Sequence, residues 1–101
     1  MYNVHMNLRF VWDEVKNREN IKKHGVSFKE AASIFSGFPL EIFYDPDHSR
    51  NEDRYIAVGI SRRGRVLLVI HCENVQGTVI RLISAQRATK REQKNFFGGN
   101  L

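Results

Sequence analysis

With a single cysteine, Cys72, the chain has no internal disulfide scaffold to build on; the residue reads as a buried thiol of a reducing compartment. No apolar run approaches the length of a membrane span. The N-terminus lacks a basic segment followed by an apolar one and a small-residue cleavage site, so export is not indicated and a cytoplasmic location is expected. Repeats, linkers and low-complexity segments are absent. Acidic residues are the minority: 16 Lys and Arg against 11 Asp and Glu leave a charge of +5, which suits an anionic partner without choosing among nucleic acid, acidic protein and anionic membrane. What remains is 101 residues, 42% of them hydrophobic, enough for one modest core and too few for two. The expectation is a single domain, 1–101, of the α+β class.

Residues 8–12 mix β-branched and aromatic side chains and predict a strand. Asp13 can cap a polar helix over 14–23, whose clearest apolar contacts are Val15 and Ile21, and His24–Gly25 stop it. Ser27 and Glu30 have capping-box spacing, with Val26 placed to staple against Ala31. Behind them Phe28, Ala31, Ala32 and Phe35 form one helical face. Residues 38–44 predict a strand with Pro39 at its start, and 45–53 a polar loop. Strands at 54–61, 65–73 and 78–85 follow, joined by short turns at Gly64 and Gly77. The middle one, apolar from Val66 to Ile70, belongs at the centre of a mostly antiparallel sheet. Thr89 and Glu92 begin a basic final helix ending near Gly98–Gly99.

Several chemistries have no support. The four histidines show no zinc-site spacing, Asp45, Asp47 and His48 fit ordinary turn chemistry, and no phosphate loop or serine elbow occurs, so neither metal nor cofactor is expected. The basic residues say more. Arg81, Arg87, Lys90, Arg91 and Lys94 gather near the C-terminus with Glu92 as the one acid among them, either a solvated cationic face, a docking surface for an acidic partner, or an RNA contact aided by the free amides of the last helix. Strict alternation would put Arg81 on one face with Val79, Ile83 and Ala85, where it could hold a carboxylate such as Glu52 or offer its donors to a phosphate. Glu52 and Arg54 share a face if the strand begins there. His24 can cap the first helix or shuttle a proton, and His71, alternating with Val69 and Leu67, is expected to pack with its ring hydrogen-bonded. No aromatic stacking pattern accompanies the basic residues, since Phe96 and Phe97 fit helix or partner contacts better.

The ordered series Phe10, Trp12-Asp13, Lys16, Asn20, Lys23-His24-Gly25-Val26, Phe28, Ala31, then Glu52-Asp53-Arg54, Gly59, Arg81 through Ala85, Ala88-Thr89 and Arg91-Glu92 resembles the BrnT-type toxins, ribonuclease components of type II toxin–antitoxin modules. The resemblance implies a RelE-like fold and metal-independent RNA cleavage that inhibits translation. It also implies a BrnA-like ribbon-helix-helix antitoxin, a heterotetramer of two toxins around an antitoxin dimer, and repression of operator DNA by that complex. Its implied functional set is Lys23, His24, Glu52, Arg54 and Arg81, and Gln86, Arg87, Lys90 and Arg91 beside them are the expected RNA contacts. One departure stands out: the family pattern Ser-Ala-Arg reads Ser84-Ala85-Gln86 here. The alternative reading is therefore a catalytically weakened homologue that mainly binds antitoxin and acts as operon co-repressor.

Overall fold

The computed structural model describes residues 8–98. Its elements run β1 (Arg9–Val11), α1 (Glu14–His24), α2 (Phe28–Ala32) with a 3-10 turn at Ser33–Ser36, β2 (Leu40–Tyr44), β3 (Tyr55–Ile60), β4 (Val66–Glu73), β5 (Val79–Arg87) and α3 (Lys90–Phe96). The five strands form one sheet in the order β1-β5-β4-β3-β2, with β1 parallel to β5 and every other pairing antiparallel. The apolar β4 is central, as its composition requires.

The main core lies between the sheet and the N-terminal helices. Val26, Phe28, Ala31, Ile34 and Phe35 close over Ala57, Leu67, Val69, Ile80, Leu82 and Ala85. A smaller cluster on the opposite face, Val58, Val66 and Ala88 with Phe96, anchors α3. Phe96 thus folds back onto this domain while Phe97 stays 46% exposed. His71 lies wholly inside, stacked on Tyr55, edge-on to Phe35, and joined through Nε2 to Glu73 at 3.1 Å.

The helix signals hold with two exceptions; α3 ends at Phe96, and Gly99 of its expected stop lies outside the described residues. Asp13 accepts from the Val15 and Lys16 amides, and Gly25, at φ 69°, ends α1 by donating to the Ile21 carbonyl. Thr89 and Glu92 form both halves of a capping box, which also engages the Thr89 and Glu92 amides that were expected to attract phosphate. At Ser27 only half a box forms: the hydroxyl accepts from the Glu30 amide, but the Glu30 carboxylate turns to Ser61 and to Arg65, which grips it through two nitrogens.

The second exception concerns the anchoring of α1. Val15 and Ile21 are about half exposed and are not its apolar contacts. Instead the buried Asn20 does the work of a missing strand. Its amide nitrogen donates to the carbonyls of Ala85 and Val26, both at 2.8 Å, and its oxygen accepts from the Ala85 N–H at 3.1 Å. β1 pairs with β5 only from Val79 to Arg81, so Asn20 satisfies the β5 edge that β1 leaves open.

Candidate functional site

Strict alternation fails in β5. The β4–β5 register shifts at Ile70/His71, with Ile70 opposite Ser84 and His71 opposite Leu82, so Ile83 is the extra residue of a bulge. Ala85 therefore joins Ile80 and Leu82 in the main core rather than sharing a face with Arg81. Arg81 pairs with Cys72 and looks out from the opposite, open face of the sheet.

There Arg81 meets Glu52, and the two form an ion pair with both side chains partly open to solvent. Glu52 and Arg54 precede β3, which begins at Tyr55, so they converge from a loop and not as strand neighbours. That loop is held from within. Ser49 Oγ donates to the Asp45 carbonyl and accepts from the Arg54 amide at 2.8 Å, and Asp45 binds the His48 ring at 2.8 Å. Asp47, His48, Arg50, Asn51, Glu52 and Arg54 line an open cleft of about 380 Å³. Hydrogen bonding from Arg81 is the main cause holding the Glu52 carboxyl below its usual range, with Arg54 adding attraction. The same bond raises Arg81.

Cys72 is a neighbour that sequence reasoning left in the core. Its Sγ lies 3.6 Å from Arg81 Nη2, and burial first, then the charge of Glu52, pushes the thiol up. It stays protonated and serves as filler beneath the ion pair, not as a nucleophile. Only the cross-strand register with Arg81 could have revealed it.

The remaining expected residues do not gather at this pair. Exposed Lys23 and half-buried His24 border a separate cleft of about 240 Å³ with Lys16, Glu19, Ile83 and Ser84, at the β5 edge. Among the described residues no hydrogen bond or ion pair joins them to Glu52, Arg54 or Arg81. Arg87 and Lys90 border a third cleft, about 580 Å³, with Gly64 and Phe97 at the far end of the sheet. Gln86 and Arg91 are exposed and line none of the three. Gln86 stands opposite Leu68, four residues along β4 from the Cys72–Arg81 pairing, hence about 13 Å from that position. Among the described residues no group of three His, Cys, Asp or Glu side chains gathers as a metal site would need, and no helix is long and apolar enough to cross a membrane.

A mostly antiparallel twisted sheet, helices before and after it, and a partly bare face carrying paired arginines and a carboxylate define a small RelE-like protein. The family follows directly: residues 12–92 match the model of the ribonuclease toxin BrnT of type II toxin–antitoxin systems, and the chain belongs to that family. The structure is similar to the crystal structure of the Brucella abortus ribonuclease toxin BrnT, with 25% identity and a TM-score of 0.61, over 82% of this chain and 99% of that one. No curated protein matches the chain by sequence. Membership brings with it the general role of a ribonuclease toxin and an antitoxin as partner.

Proposed function

We propose that the chain is an endoribonuclease toxin that cleaves RNA in the cytoplasm without a metal ion and so inhibits translation. The observation that carries this reading is the Glu52–Arg81 ion pair beside Arg54 on the open face. In the proposed reaction a ribose 2′-oxygen attacks the adjacent phosphorus and the bond to the 5′-oxygen breaks, leaving a cyclic phosphate and a 5′-hydroxyl. Arg54 and Arg81 stabilise the charge that develops on the phosphate oxygens. Glu52, held ionised, is a weak proton acceptor and keeps Arg81 aimed until the phosphate competes for it. Glu52 or His24 takes the 2′ proton and Lys23 or His24 protonates the departing 5′-oxygen; Lys23 and His24 stand in a separate cleft at the β5 margin, so a substrate that engages them must also reach that edge.

Arg87, Lys90 and Arg91, with Gln86, extend the RNA contact towards α3. A BrnA-like ribbon-helix-helix antitoxin neutralises the toxin in a heterotetramer that represses operator DNA. The competing reading, a weakened homologue acting mainly as antitoxin-binding partner and co-repressor, draws on Gln86 standing where the family has arginine. The separation of Gln86 from the Cys72–Arg81 pairing speaks for retained activity. End analysis of RNA treated in excess chelator tests both. Cyclic phosphate and 5′-hydroxyl ends from the native sequence support cleavage by this route. No products from it, but products from Gln86→Arg, would establish the weakened homologue instead.

A further inference from the structure

The register arranges the open face in transverse rows. Cys72 opposes Arg81, and Arg54, one residue before the Tyr55–His71 pairing, lies close enough for its charge to act on both Cys72 and Glu52; Arg54, Cys72 and Arg81 make the cationic row. The next row is Phe43 opposite Ile56, Ile56 opposite Ile70, and Ile70 opposite Ser84. The third, from Glu41 through Val58 and Leu68 to Gln86, runs towards α3, where Phe96 clusters with Val58, and Leu68 and the middle row's Ile56 pack against that cluster. The middle row is therefore a shelf one side chain wide, bounded by arginines on one side and a helix on the other. It is partly bare: Phe43 is 50% exposed, and Ile56 and Ile70 are half-buried.

We infer that this shelf is a nucleobase subsite, on which a base of the bound RNA lies against Phe43 and Ile70 while its phosphate sits at Arg54 and Arg81. The inference rests on the ribonuclease reading above and adds to it the place of a base. Rows are two residues apart along the strand, about 7 Å, a spacing suited to a nucleotide's phosphate and its own base. Charge complementarity selects the occupant. A narrow apolar plate one step from two cations fits a flat base joined to an anion, whereas a partner helix needs a longer apolar strip, and α3 already occupies the row beyond. Contact through a phenyl ring and aliphatic groups involves no base-edge hydrogen bonds, so the subsite accepts bases of any kind.

The test compares the native chain, Phe43→Ala and Phe43→Trp for binding and cleavage of one labelled RNA and of the same RNA with an abasic nucleotide at the cleavage position. Phe43 is half exposed on an edge strand, so the variants are expected to fold, and urea unfolding checks this. Phe43→Ala should weaken binding of the intact RNA about tenfold or more, Phe43→Trp should preserve it with its added fluorescence quenched on binding, and the abasic RNA should not distinguish the three. Equal loss on both RNAs would reveal a merely structural role and overturn the inference. So would unchanged binding in Phe43→Ala, and in that case cleavage by the native chain would leave the ribonuclease reading standing. Loss of antitoxin binding with RNA binding intact would reassign the shelf to the protein partner. If the native chain neither binds nor cleaves RNA, both readings fall.

Discussion

Single residues carry two distinct loads in this fold, structural closure and charge. Asn20 closes the β5 edge, and no other described side chain bonds the Ala85 backbone. Asn20→Ala would strand a buried N–H and two carbonyls, costing about 3 kcal/mol, or a fall of roughly 10–20 °C in melting temperature; a thermal melt showing less than a few degrees would refute that role. Glu30 carries the charge-dependent part. Its carboxyl is held below the usual range chiefly by hydrogen bonding from Arg65, helped by Ser61. The unfolded chain therefore takes up this proton at a higher pH than the folded one. The stabilisation is whole above the unfolded carboxyl's range and is lost as pH falls through the lower folded value. Urea midpoints measured from pH 7 down to pH 3 should drop, and Glu30→Gln, already weakened at neutral pH, should show a flatter dependence over the acid part of that range.

The elements divide into those whose sequence signals were sufficient and those fixed by contacts remote in sequence. The caps at Asp13 and Thr89, the stop at Gly25 and the central place of β4 were all legible, because each depends on neighbours within a few residues or on composition alone. The bulge at Ile83 was not: it arises from the pairing of two whole strands, and it moved Ala85 away from Arg81's face. The parallel docking of β1 on β5 was equally hidden, since only three residues pair and Asn20 continues the edge. β3 offers a further check on packing between elements. A Cβ added at Gly59 would lie 3.0 Å from Ile34 Cβ and 3.2 Å from Leu40 Cδ1, between the 3-10 turn and β2. Gly59→Ala should destabilise by about 1–3 kcal/mol, read as a lower urea midpoint with unchanged slope. Thr89→Ala removes one half of the cap on α3 and should cost about 1 kcal/mol in the same assay.

At the scale of the molecule, function depends on which face each element leaves bare. α1 and α2 cover one side of the sheet, α3 covers one end of the other, and the uncovered part presents Arg54, Arg81 and Glu52. The Arg81–Glu52 contact was one of the roles open to Arg81 in the sequence, whereas the separation of the other candidate residues from it was not legible. Lys23 and His24 stand at the β5 margin, and Arg87 and Lys90 at the far end, because a helix terminus and a strand terminus carry them away from the loop that delivers Glu52. The central claim is that the arginine pair on the open face, and no metal, stabilises the cleavage transition state. Its most direct measurement is kcat/KM on a labelled RNA in excess chelator for the native chain and for Arg81→Ala, with urea unfolding of both. A loss of about a hundredfold or more in a still-folded Arg81→Ala is the predicted result. Cleavage that the chelator abolishes, or that survives in Arg81→Ala at the native rate, would contradict the account.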